Sequence, residues 1–301
     1  MKKFTLLLMS LLMVTSLAFA QKKLCVHKLD GTKLEVLASE VSYIDFEDIA
    51  TDPDDDPVVP ETGGFVAKPF SVSENKTVTF SPGNLQYHAA NNEWRFAPSQ
   101  TDYIGEANEN ISSTYNGWID LFGWGTGNNP TNASTDYNDY QTFVDWGVNK
   151  IGNDAPNTWR TLTYAEWKYL IEERPNYDKL IGVAQVNDVN GLILLPDNWT
   201  CPSGVTFKSG FHEDYGTDYY AAYQTFSASD WAKLENSGAV FFPAAGHRGG
   251  SNVNYVLNYG KVWSATVNNS GGTNGLGFDS GEAGVNFSIR DLGHSVRLVQ
   301  D

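Results

Sequence analysis

The sequence predicts an α+β fold in which short antiparallel strands and long loops outweigh two helices, with a small β-hairpin module in front. Three observations lead there. The 301 residues are 41% hydrophobic and 13% aromatic with 28 Gly and 9 Trp, the composition of a packed, turn-rich chain and not of a disordered tail, a coiled coil or a collagen. Apolar residues gather in runs of four or five with turn formers between them. Only two segments carry both a helix start and a helix stop signal.

Taken in order, residues 1 to 20 have two lysines, an apolar run and then Ala18-Phe19-Ala20, the pattern of a secretory signal cut near Ala20-Gln21. The run is shorter than the roughly 20 residues that span a bilayer, and no other segment is apolar enough. The expectation is a mature chain without a membrane span, secreted or held at the cell surface or periplasmic side. Residues 21 to 50 form the hairpin module: Leu24 and Val26 alternate before Asp30-Gly31, and Leu34 and Val36 after it, and Asp-Gly is a strong hairpin turn. Residues 51 to 64 concentrate Asp, Pro and Gly as a linker. Asp52, Asp54 and Asp56 have the spacing of a calcium loop, but Pro57 stands where that loop needs Gly and Gly63 where it needs Glu, so a solvated linker is expected.

Residues 65 to 301 are left as one domain. Strands are expected at 77–80, 192–195, 240–242 and 295–299. The first helix follows the capping box Thr163-Tyr164-Ala165-Glu166, buries Trp167, Leu170 and Ile171, and stops before Pro175. The second starts at Ser227 with Asp230 three residues on, buries Trp231 and Leu234, and ends near Gly238.

Twenty Lys and Arg against 36 Asp and Glu give a net charge of -16, which repels nucleic acid. Two cysteines, Cys25 and Cys201, cannot build a disulfide framework for this length; one disulfide or two free buried thiols are the alternatives. No GxSxG, P-loop, CxxC, HxxxH or HExxH spacing occurs, and His88, His212, His247 and His294 are scattered singly. The expectation is a protein without cofactor or metal and without catalytic residues. The loop acids Asp136, Asp139, Asp145, Glu213 and Asp214 are the candidates for glycosidase chemistry, and solvated loop acids are the plainer reading.

The segments FSPGNLQY (80–87), WRFA (94–97), GWIDLFGWGTGNNPTNAS (117–134), WRTLTYAEWKYL (159–170), LLPDNW (194–199), GAVFFPAAGHR (238–248), VWSAT (262–266) and HSVRLV (294–299) carry a resemblance. Together they resemble the Fibrobacter succinogenes major paralogous domain type of exported Bacteroidetes and Fibrobacteres proteins, over nearly all of residues 69 to 301. That family is similar to the C-type lectin fold, in the branch holding the formylglycine-generating-enzyme-like domains. The resemblance implies a C-type-lectin-like domain in which the strand around Val78 lies beside the strand around Val296. The late cysteine pair of formylglycine-generating enzymes is absent, as are the Glu-Pro-Asn, Gln-Pro-Asp and Trp-Asn-Asp tripeptides of calcium-dependent lectins.

Residues 247 to 294 mix Gly, Ser and Asn with isolated tyrosines, the residue types of antibody paratopes. Asn252, Asn254, Tyr255, Asn258, Tyr259, Asn268, Asn269, Asn274 and Asn286 are the expected ligand-binding residues, held by Trp263, Phe278, Val285, Arg290, Val296 and Arg297. A Gly-rich loop with Asn at turn positions is the plainer reading. The PAAG, WSAT and SVR segments are also similar to variable proteins of diversity-generating retroelements, which implies a diversified face. The function expected is an exported, non-catalytic, adhesin- or lectin-like binding protein whose partner is a protein or glycan outside the cell. The alternatives are a glycan-acting enzyme using loop carboxylates and a structural subunit of a surface assembly.

Overall fold

Residues 23–27, 33–37, 65–267 and 272–301 are described by the computed structural model, in which the chain forms two units, 1–58 and 59–301. The signal segment, the Asp30-Gly31 turn, the linker and the candidates Asn268 and Asn269 lie outside the described residues. In the first unit β1 (Lys23–His27) and β2 (Lys33–Leu37) are antiparallel, with Leu24 opposite Val36 and Val26 opposite Leu34. The register follows the expected alternation.

The second unit begins with a hairpin of β3 (Phe70–Ser73) and β4 (Lys76–Phe80), then β5 (Leu85–His88), β6 (Glu93–Phe96) and β7 (Trp118–Ile119), with β5 between the other two. Next come β8 (Arg160–Thr161), α1 (Tyr164–Lys168), the hairpin β9 (Ile181–Val186) and β10 (Val189–Leu194), α2 (Thr217–Tyr223), β11 (Thr225–Phe226), α3 (Ala228–Asn236) and β12 (Val240–Pro243). The last quarter holds β13 (His247–Gly249), β14 (Asn252–Asn254), the antiparallel β15 (Gly260–Val267), β16 (Thr273–Phe278) and β17 (Ala283–Ser288), then β18 (Leu292–Gly293) and β19 (Leu298–Gln300). This is a mixed α+β unit of several small, mostly antiparallel sheets. The strand containing Val78 does lie beside the C-terminal strand: Phe80 faces Val299, and Thr79 faces Gln300. The ladder is shorter than 295–299 suggested, because Ser295 and Val296 bond instead to Lys261 and Leu85 across neighbouring segments.

Both expected helices are present with their caps. Thr163 Oγ1 accepts the Glu166 N–H at 3.2 Å while Glu166 Oε2 accepts the Thr163 N–H at 2.9 Å, so two otherwise orphaned donors are satisfied together. The α-helix runs only to Lys168; a π turn over Tyr169–Glu173 keeps Leu170 and Ile171 buried. In α3 the Ser227 hydroxyl accepts from Asp230 N at 3.2 Å, and Trp231 and Leu234 are buried. A third helix, α2, was not expected: its N-cap is Gly216, which offers no side chain, and only Tyr220 is buried.

Three apolar clusters fill the unit, and the hairpin β9–β10 with β12 divides two of them. Val183, Leu192 and Phe242 face the cluster containing Phe80 and Trp167; Ala184, Ile193 and Phe241 face Trp231 and Leu234 of α3. Alternation on a sheet covered on both sides makes both sets apolar, which is why these segments read as unbroken apolar runs. Phe80, Trp167 and Phe242 meet at centroid separations of 5.7 to 5.9 Å, the spacing aromatic pairs favour. The third cluster joins Trp94, Phe122, Trp146 and Trp263. Cys201, expected buried if unpaired, is an exposed free thiol.

One buried acid escaped the sequence. Asp120 is fully buried, accepting from Asn108 Nδ2 at 2.8 Å and Ile104 N at 2.9 Å, and burial pushes its carboxyl up to about 6. A carboxyl raised on folding holds its proton longer in the folded than in the unfolded chain, so stability falls as pH rises from about 4 to about 6. The contribution lost is on the order of 2 to 3 kcal/mol. Thermal unfolding from pH 4 to 7 should therefore show a steeper loss in the wild type than in Asp120→Asn; parallel profiles would refute it.

Candidate functional site

The site is built on a strained turn. Tyr255 and Leu257 have φ of +60° and +61°, a region that side chains with a Cβ rarely adopt and that costs about 1 to 3 kcal/mol each. The turn is over-determined: Gly246 N–H bonds to Tyr259 O at 2.8 Å, Leu257 N–H to Ala244 O at 2.7 Å, and the N–H groups of Asn258 and Tyr259 to Tyr255 O at 3.0 Å. Gly246 itself has φ +74° and lies against the Asn254 carbonyl, where a Cβ would collide. From below, the buried Asn190 amide donates to Leu257 O and to Thr217 O, both at 2.8 Å, and the Tyr220 hydroxyl donates to Asn258 O at 3.0 Å. An asparagine in the apolar run VNGLILL was the one sequence signal for this clamp.

The turn presents Tyr255, Asn258 and Tyr259 to a cavity of about 360 Å³, whose other walls are Tyr215, His247 and Asp279. Tyr215 arrives from the loop before α2, which buried Ser280 pins: Ser280 O accepts from His212 N at 2.8 Å, and its hydroxyl accepts from Gly216 N and donates to Asp214 O, each at 3.0 Å. The Tyr215 ring lies over Gly281, where any Cβ would strike it. Asp279 ends β16 in a turn, its Oδ1 accepting from Gly281 N at 2.8 Å and Glu282 N at 3.1 Å. Tyr255 stacks on His247 with centroids 5.5 Å apart and planes 29° apart.

Two groups of the cavity wall, Tyr259 and His247, have their titrations displaced by the surroundings. Burial, then Asp279 and Glu282, push the Tyr259 hydroxyl up to about 12. Burial and the Lys261 charge lower His247. Lys261 is buried on the same sheet face, donating to Asn286 Oδ1 and Phe287 O at 2.7 Å each, and burial lowers its ammonium to about 8. Deeper still, Ser288 Oγ and His294 Nε2 lie 2.7 Å apart. Both are buried, His294 against Trp263 at 4.3 Å, and its Nδ1 has no partner among the described residues.

The structure therefore assembles some of the expected residues and separates others. Tyr255, Asn258 and Tyr259 line one cavity, and Asn286 joins Tyr259 above Gly277, where an added Cβ would lie 2.8 Å from the Tyr259 hydroxyl. Asn252 and Asn254 are exposed on β14 beside it. Asn274 does not belong with them: it is half-buried in β16 opposite Phe287, where strand alternation turns it to the other face from Gly275 and Gly277. Tyr259, expected as an exposed contact, is mostly enclosed, because β15 starts at the next residue and carries its ring onto the sheet. Tyr215, His247 and Asp279 were missed; they come from separate segments that only tertiary bonds bring together.

The loop acids fall in three places: Asp145 by itself, Asp136 and Asp139 in one turn, and Glu213 and Asp214 in the loop before α2. Asp145 is occupied by Gly147 N, Thr161 N and the Thr161 hydroxyl at 2.9 to 3.1 Å, and Asp136 caps the turn at Tyr137–Tyr140. Asp139 borders a second, larger cavity of about 470 Å³ with Trp124, Asn128, Asn129, Asn138 and Gln141. Among the histidines, His247 and His294 are neighbours at 6.2 Å rather than isolated. Among the described residues no three His, Cys, Asp or Glu side chains come together as metal ligands, and no helix is long and apolar enough to cross a membrane. No family model, no curated protein and no solved structure matches the chain, so the reading of this site rests on its own geometry.

Proposed function

We propose that the chain is an exported, non-catalytic binding protein of the cell exterior, adhesin- or lectin-like, with a C-type-lectin-like frame that holds its ligand at the 255–259 turn. One observation carries this. Tyr215 and Tyr255 are 65% and 61% exposed, yet both face the same cavity, and the backbone under Tyr255 is held in an unfavourable conformation. Exposed aromatic rings on a rigid, strained support supply contact area without the entropy loss of ordering flexible groups. The buried Trp263, Phe278, Arg290, Val296 and Arg297 fit a scaffold role, leaving the turn and β14 free to vary, as a diversified face requires.

Tyr255→Ala and Tyr215→Ala should each change unfolding free energy by less than about 1 kcal/mol. Either should weaken binding by about 2 kcal/mol, near thirtyfold, if it is a hot spot. The measurement is a glycan array and a panel of surface-protein extracts probed with wild type and variants side by side. Turnover of a glycan without stable binding, or binding indifferent to both substitutions, would overturn the reading. A reverse transcriptase gene beside a near-copy of the codons for residues 250 to 297 would support diversification; absence of both would exclude it.

A further inference from the structure

Resting on that reading, we propose that the tyrosine pocket receives an alkylammonium group. Tyr215 and the turn residues Tyr255 and Tyr259 line it from two segments, and the quadrupole of an aromatic ring attracts a cation. The only acid in the wall is Asp279, and its two backbone hydrogen bonds both fall on Oδ1. Glu282 acts on Tyr259 alongside it, so two carboxylates set the local potential. His247, the imidazole in the wall, is held towards its neutral form by burial. Lys261 is the opposing charge; it does not line the cavity, and its ammonium is directed to Asn286 Oδ1 and Phe287 O.

Size and long-range field agree with this. A cavity of about 360 Å³ is at the small end of ligand sites, suited to a substituted ammonium and a few carbons rather than to an extended chain. The net charge of -16 draws cations from a distance and repels anions. A neutral sugar would stack on the same rings and donate a hydroxyl to the carboxylate, but it carries no charge for the acidic surroundings to attract.

The test uses the full chain. It is titrated calorimetrically with choline, with N-acetyl-lysine methylamide and its trimethylated form, with 3,3-dimethylbutanol as the uncharged isostere of choline, and with a neutral methyl glycoside. The cations should bind at least tenfold more tightly than the uncharged isostere. Asp279→Asn, which keeps the Oδ1 acceptor and hence the turn, should erase that margin, while Tyr215→Ala should weaken every ligand of the pocket. Choline binding alone would identify a free small cation as the source, and binding of the lysine derivatives alone a side chain on a partner. Equal binding of choline and its isostere, or an Asp279→Asn variant as selective as wild type, would overturn the ammonium assignment. If no cation binds but another ligand is lost in Tyr255→Ala, the assignment fails and the binding face stands; if no ligand depends on either exposed tyrosine, both fall.

Discussion

Replacing Trp263 by Ala is expected to cost roughly 3 to 5 kcal/mol of stability, the range for emptying a large aromatic site in a core. The side chain is fully buried. Its Nε1 donates to Phe122 O at 2.6 Å, its carbonyl accepts from Trp167 Nε1 at 3.2 Å, and its ring covers His294 at 4.3 Å. Removing the indole leaves a cavity in the cluster of Trp94, Phe122 and Trp146 and one donor fewer at the Phe122 carbonyl, which keeps its bond from His294 N at 2.9 Å, so the loss is mainly that of the cavity. Urea unfolding of wild type and variant measures it. A loss under 1 kcal/mol would show that the site collapses around the smaller side chain.

Gln100→Ala is expected to be comparably damaging, for an electrostatic reason. Gln100 is buried between two charges: its Oε1 accepts from Arg297 Nη2 at 2.5 Å and from Phe241 N at 2.9 Å, and its Nε2 donates to Glu235 Oε1 at 2.9 Å and Ala239 O at 3.1 Å. Arg297 and Glu235 thus share one amide in place of a direct ion pair. Burial lowers the Arg297 guanidinium to about 9 and raises Glu235, the signature of charges held out of water. Truncating the amide leaves both without their shared partner, which should cost about 3 to 5 kcal/mol. In an Arg297→Met background, where the buried cation is gone, the same truncation should cost at least 1 kcal/mol less, since groups in one network do not act independently. Strict additivity in that double-mutant cycle would mean that the amide does not couple to the arginine.

What was legible in the sequence is what local rules encode. The 23–37 hairpin register follows from alternation, and the caps at Thr163 and Ser227 follow from hydroxyl and carboxyl spacing. Helix α2 was illegible because its start, Gly216, supplies no capping side chain. For the site, residue types along 252 to 259 picked out the turn. They could not distinguish Tyr255, which projects, from Tyr259, which folds onto the sheet, since the difference is where β15 begins. Asp279 and Tyr215 lie far apart in sequence and meet only because Ser280 bonds to the loop before α2. No periodicity encodes such a bond. Asn274 shares its residue type with the others but sits on the wrong parity of a strand, so composition misled where register decided.

The order β3, β4, β19 places the first and last strands of the second unit on either side of β4. Their registers on β4 set Phe70, at the start of β3, opposite Val78 and Gln300, at the end of β19, opposite Thr79, so these two ends lie two strand spacings apart, roughly 10 Å. The polypeptide therefore leaves this unit close to where it entered, and the covalent path is nearly a closed ring. A host polypeptide can carry such a unit within one of its own loops without being pried apart. It can also string copies along one thread, with each copy's tyrosine turn borne by its own frame. How many such turns one chain displays is then set by gene architecture rather than by any new packing.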